Sequence, residues 1–211
     1  MRRNMRFKVI ISIALLFIMN IGTIAQAYSL SEVPSSIVFN TKDNRVGRVL
    51  YEDLTRQKNQ RFYLEAKQIV EDNGEDIAYC LDIEKSYPSG EVFTLSGDPL
   101  PEVRSLIAAG YPSRTPEQLN LKTSSDAYFA TQIALWCYLE GYDVYKIHSD
   151  NAEVVSAIRS IYNDGVKGVA TSTNYYIKDY FTNDKVQNIV VAFKSSEEIK
   201  LPTLENDYIG K

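Results

Sequence analysis

The stretch from Ala130 to Gly141 constrains this chain more than any other. It reads Ala-Thr-Gln-Ile-Ala-Leu-Trp-Cys-Tyr-Leu-Glu-Gly. Ser124, Ser125 and Asp126 offer caps before it and Gly141 a stop after it, which predicts a helix of about four turns. Steps of three and four from Gln132 meet Tyr128, Phe129, Leu135, Trp136 and Leu139, so one amide side chain lies on the large aromatic face. The rest of the chain must cover that face, and the amide must find partners under the cover. Backbone groups satisfy most buried amides, and Gln132 alone asks for nothing more. What singles it out is the company the rest of the chain provides.

The first residues carry Arg2, Arg3, Arg6 and Lys8, then an apolar run from Val9 to about Ile24, then Ala25-Gln26-Ala27. That is the pattern of a secretory signal peptide over residues 1–27, cut before Tyr28. Without it the chain keeps 19 of its 23 Lys and Arg against 27 Asp and Glu, a formal charge of −8. So acidic a chain is no partner for nucleic acid. No second apolar run is long enough to span a membrane after signal cleavage. In an exported chain with two cysteines, Cys80 and Cys137, the default expectation is a disulfide. A single histidine, His148, and no close ligand spacing argue against a metal site, and no motif calls for a cofactor.

From Ser36 to Asp82 the signals are strand-like: Ile37 to Phe39, Arg48 to Tyr51, Arg61 to Leu64 and Ile77 to Leu81, with Asp72-Asn73-Gly74 as a turn. Period two in the last of these sets Ala78, Cys80 and Asp82 on one face, opposite Ile77, Tyr79, Leu81 and Ile83. Cys80 is thereby expected among small or polar neighbours, open to approach. Glu91 to Leu95 reads as another strand, Pro101 to Gly110 as a short helix, and Thr115-Pro116-Glu117-Gln118 as a helix start. Asp150 to Asn163 is the clearest amphipathic helix, with Asp150 and Glu153 as a capping box and Gly165 as its stop. Strand character returns in Asn174 to Ile177 and Asn188 to Phe193. The expected class is α+β: a β-rich part, sandwich- or barrel-like, with an inserted helical subdomain.

Cys80 and Gln132 stand 52 residues apart, one on a predicted strand and one on a predicted helix. A Cys80 thiolate that attacks the Gln132 carboxamide would expel ammonia and leave a side-chain thioester. The reaction is uphill in water. It therefore requires near-contact geometry, a stabilised thiolate, oxyanion donors and a dry setting, for which Tyr79, Tyr128, Phe129 and Trp136 are the available walls. The same aromatics also serve as ordinary core.

Ala78-Tyr79-Cys80-Leu81-Asp82 and Ala130-Thr131-Gln132-Ile133-Ala134-Leu135-Trp136 resemble the two signature segments of thioester domains, also called TQxA domains, in surface adhesins of Gram-positive bacteria. The order agrees as well, with the cysteine strand first and the Thr-Gln-x-Ala helix after it. The resemblance implies a single compact thioester domain over residues 28–211, a Cys80–Gln132 bond, and Thr131 as part of the surrounding motif. It further implies a cell-surface or secreted protein, not an enzyme, that binds a host surface or matrix protein when a lysine amine opens the thioester. The chain departs from the family in ending at Leu201-Pro202-Thr203-Leu204-Glu205 rather than a sortase signal. The expectation is a piece of a longer adhesin with further domains, or a protein released or held by another route.

Two rivals stand beside this reading. One is a binding module stapled by Cys80 and Cys137 that holds its ligand non-covalently. Cys137 lies about 140° round the helix from Gln132, so a Cys80–Cys137 disulfide and a Cys80–Gln132 bond exclude each other. The other is a cysteine hydrolase with Cys80 as nucleophile and His148 as base, which lacks any local nucleophile signature.

Overall fold

The computed structural model describes residues 33–195, apart from residues 73, 75, 171 and 173. The signal-peptide segment, the turn at Asn73 and the tail beyond Ser195 lie outside the described residues. Among the described residues seven strands form one sheet: β1 (Ser36–Asp53), β2 (Gln60–Glu71), β3 (Ile77–Cys80), β4 (Glu91–Gly97), β5 (Ile147–His148), β6 (Tyr175–Phe181) and β7 (Ile189–Lys194). Their order is β2-β3-β7-β6-β4-β1-β5, and β1 also pairs with β2, so six of them close into a ring with β5 hung on β1. Closure leaves few open edges, as in a barrel. Every ladder is antiparallel.

The two predicted strands around Ile37 and Arg48 are one long strand, β1. It stays continuous through irregular pairing between Thr41 and Gly47. There it passes so close to the helix that carries Phe129 that a Cβ on Gly47 would sit 2.6 Å from the Phe129 ring. The two-residue β5, which pairs Ile147 and His148 with Tyr51 and Leu50, is too short to announce itself in sequence.

Among the described residues three α-helices pack together on the ring: α1 (Pro101–Ala109), α2 (Ser124–Leu139) and α3 (Ala152–Val166). Helix α3 lies against both others, and α2 also touches β1 and β2. Ala127 through Cys137 are all buried, so α2 is covered on every side and not only on its aromatic face. Its cap is Thr123, whose hydroxyl accepts from Asp126 N–H at 3.0 Å, one residue ahead of the predicted caps. On α3 the cap is Asn151 rather than an Asp150–Glu153 box, since Asn151 Oδ1 accepts from Val154 N–H at 3.2 Å. Gly165 does not stop α3. It lies within the helix, where a Cβ would come 2.7 Å from Leu106 Cα, so its small size sets the α1–α3 approach. The predicted helix at Thr115 is only a 3-10 turn, Glu117–Leu119. Among the described residues no helix is long and apolar enough to cross a membrane.

One surface charge sits at odds with the fold. Asp179 on β6 has a buried Oδ1 with no hydrogen-bond partner among the described residues. Burial first, and the Asp98 carboxylate second, push its pKa up to about 6. A raised carboxylate pKa favours the fold while the proton stays on, and that contribution is lost as pH rises through the folded value. Asp179→Asn should therefore stabilise the domain by roughly 1–2 kcal/mol at neutral pH and by nothing near about pH 4. Thermal midpoints at the two pH values check this.

Candidate functional site

Strands β2 and β3 meet at a single register pair, Ile69 with Ala78, and then part. Helix α2 fills the gap with two polar side chains one turn apart, Tyr128 and Gln132. The Tyr128 hydroxyl donates to Ala78 O at 2.9 Å and accepts from Ile69 N–H at 3.3 Å. Gln132 takes the next position along β3. Its Oε1 accepts from Cys80 N–H at 2.9 Å, and its Nε2 donates to Cys80 O at 2.8 Å. Backbone groups that a neighbouring strand would have satisfied are thus satisfied by the helix.

This arrangement joins the two residues expected to react. The carboxamide is held in one plane by two bonds to the cysteine it would acylate. The Cys80 N–H points at the oxygen that would carry negative charge during attack, and the Cys80 carbonyl holds the nitrogen that would leave. Gln132 is 1% exposed and Cys80 0%, so the pair is dry. The expectation that Cys80 is open to approach is wrong: it stacks no small polar face toward solvent, because both faces of β3 are covered. A stabilised thiolate is absent too. Burial, then the Asp82 carboxylate, push the Cys80 pKa well above that of an ordinary thiol. Any reactivity at Cys80 therefore derives from proximity and not from a depressed pKa.

Most of the predicted surroundings are here, but in different roles. Tyr79 stacks on Tyr128 with ring centroids 4.7 Å apart, and its hydroxyl donates to Tyr111 O at 2.6 Å. Thr131 accepts from Tyr111 N–H at 2.9 Å and donates to Ala127 O at 2.8 Å. The two motif residues therefore clamp both backbone groups of Tyr111, just after Gly110, where a Cβ would clash with Thr131 Oγ1 at 2.5 Å. Thr131→Val would orphan the Tyr111 N–H and should cost about 1–3 kcal/mol, read as a lowered thermal midpoint. Trp136 is buried one turn beyond Gln132, and its Nε1 has no hydrogen-bond partner among the described residues. Phe129 is elsewhere, packed under β1 at Gly47. Sequence reading missed Tyr87 and Tyr111: neither has a spacing that ties it to Cys80 or Gln132.

The rival sites are not assembled. Cys80 and Cys137 are both buried free thiols, and no disulfide joins them. Cys137 sits on the side of α2 that faces Asp143, whose carboxylate adds to burial in raising its pKa to about 12. His148 is exposed on β5, paired with Leu50 of β1, whereas Cys80 is buried on β3. Among the described residues no group of three or more His, Cys, Asp or Glu could hold a metal ion.

Comparison with known proteins bears on the same residues. The family model described as "TED: Thioester domain" matches residues 77–167, a span that contains both Cys80 and Gln132. No curated protein matches the chain. Among solved structures, the fold is similar to the Bacillus anthracis TIE protein, with TM-score 0.61 and 15% identity over 76% of this chain and 46% of that one. This chain thus spans about half the length of that protein. It is also similar to the thioester domain of the Enterococcus faecium TIE86 protein (TM-score 0.52, 18% identity, 80% and 79% covered). The N-terminal domain of the Streptococcus pyogenes pilus tip adhesin Cpa is a third likeness (TM-score 0.50, 15% identity, 81% and 99% covered). At such identities the likeness is one of fold, and the sequence match to the thioester-domain model covers residues 77–167, the segment that holds Cys80 and Gln132.

Proposed function

We propose that Cys80 and Gln132 close an internal thioester, and that the chain is an exported adhesin module that uses it once to bind a host surface or matrix protein through a lysine amine. One observation carries the reading: the Gln132 carboxamide is bonded at both ends to the backbone of Cys80. In the closing step Cys80 Sγ attacks the Gln132 side-chain carbonyl carbon. The C–S bond forms, the C–N bond breaks, and the thiol proton leaves with the nitrogen as ammonia. In the opening step an amine nitrogen takes the same carbon, the C–S bond breaks, and a proton from the amine ends on the sulfur. The thioester is consumed as the Cys80 thiol is freed, so the protein acts once and does not turn over.

The advantage of such a bond for an adhesin is mechanical. A covalent link persists under loads that open non-covalent contacts of any affinity. Specificity must then come from docking that brings one amine to the acyl carbon.

Methylamine tests the reading. The protein should gain one methylamine at Gln132, and thiols counted in denaturant should rise from one to two as Cys80 is released. In the folded state the released thiol should react slowly with alkylating agents, because burial keeps its pKa high. A count of two thiols before treatment, with no adduct after it, would contradict the proposal.

A further inference from the structure

The edge of β2 that faces β3 is served by tyrosine hydroxyls where no strand covers it. Glu65, Lys67 and Ile69 alternate along β2 and so present backbone groups to that one edge. Tyr128, fully buried, serves Ile69 N–H from the inside and lies 3.5 Å from Lys67 O. Tyr87 serves the rest from the solvent side. Its hydroxyl accepts from Lys67 N–H and donates to Glu65 O, both at 3.4 Å. These distances are at the weak limit of hydrogen bonding, whereas the bonds on Cys80 are short.

Tyr87 is half-buried on the connection between β3 and β4 and packs against the core. That connection is anchored on both sides of the tyrosine. Ser86 bridges to Val186, and Pro88 O accepts from the Thr41 hydroxyl at 2.7 Å. The backbone is therefore fixed while the side chain is loosely held. Burial first, and Cys80 second, push the Tyr87 pKa up to about 12. Gln132 reaches Cys80 on the edge of β3 that faces this gap. The antiparallel Ile69–Ala78 pair sets Lys67 opposite Cys80, so the Tyr87 hydroxyl on Lys67 N–H stands across this gap from the Gln132 carboxamide on Cys80.

Resting on the thioester reading above, we propose that Tyr87 is the specificity-determining residue of thioester opening, favouring amines on an alkyl stem over water. A lysine side chain that displaces the ring fills the vacated slot with methylene groups. Water brings no such replacement, and its entry leaves apolar walls wetted. The ring thus excludes the reagent in vast excess and yields to the scarce one.

The test follows opening by intact mass in wild type, Tyr87→Phe and Tyr87→Ala, with methylamine, n-butylamine or buffer alone, and with Tyr175→Ala as a control. Each protein is first checked for the ammonia-sized mass deficit. In wild type, n-butylamine should react faster than methylamine despite its size. In Tyr87→Ala hydrolysis should rise about tenfold and the preference for the longer amine should vanish, while Tyr87→Phe, which keeps the ring, should hydrolyse about threefold faster at most. A merely structural role for Tyr87 would not move the amine-to-water ratio or the chain-length preference. Unchanged ratios in Tyr87→Ala, or the same shift in Tyr175→Ala, would overturn the inference and leave the thioester intact. If Tyr87→Ala does not form the bond, Tyr87→Leu, which also removes the ring, takes its place, and an amine-to-water ratio and chain-length preference in it no different from wild type is the overturning result. Absence of the mass deficit in wild type would instead remove the reading on which it rests.

Discussion

Cys80→Ala should abolish covalent capture of amines outright, with no mass gain in methylamine at any exposure time. The change is clean because Gln132 bonds to the backbone of Cys80 and not to its side chain. The variant keeps the carboxamide in place and loses only the sulfur. Gln132→Ala should give the same loss of capture with an added structural cost. It strips partners from a buried N–H and a buried C=O, at about 1–3 kcal/mol for each group left unsatisfied. The two variants therefore separate chemistry from scaffolding: both lose capture, and Gln132→Ala alone loses much stability beyond that of the missing bond. Amine incorporation that survived in Cys80→Ala would place the electrophile elsewhere.

Opening the bond should destabilise the fold by roughly 2 to 4 kcal/mol, by analogy with a disulfide that closes a loop of this length. Cys80 and Gln132 stand 52 positions apart, and the loop between them includes α1, β4 and the first half of α2. A cross-link there removes loop entropy from the unfolded chain. The folded contact should survive opening, since a methylamide at Gln132 keeps the oxygen that accepts from Cys80 N–H, while the bond to Cys80 O is one the thioester, which has no nitrogen, already lacks. The loss is then an unfolded-state effect, and for a domain of this size it should appear as a fall of about 5 to 15 °C in the thermal midpoint. Calorimetry before and after methylamine reads it directly. Equal midpoints would mean that the bond serves function without contributing to the stability of the domain.

Much of this architecture was legible in sequence where the signal is local. The α2 stretch with its Gly141 stop, the α1 helix opened by Pro101 and the strand around Cys80 all follow from turn chemistry and periodicity. The pairing of Cys80 with Gln132 was legible through the resemblance of two short segments to a known family. What sequence did not carry was tertiary. The continuity of β1 depends on Gly47 passing over Phe129, and Gly165 reads as a helix stop until Leu106 is seen against it. The manner in which Gln132 meets Cys80 was also hidden. It depends on β2 and β3 separating after one residue pair, a property of ring closure that no spacing in the chain encodes. For the same reason Tyr87 and Tyr111 were passed over, because their roles exist only once that gap is formed.

Intact mass of the freshly purified wild-type chain tests the central claim most directly. The account predicts a value below the sequence mass by one ammonia, restored to the sequence mass in Cys80→Ala after allowing for the substitution. A wild-type mass equal to that of the unmodified sequence, or lower by only the two hydrogens of a disulfide, would contradict it.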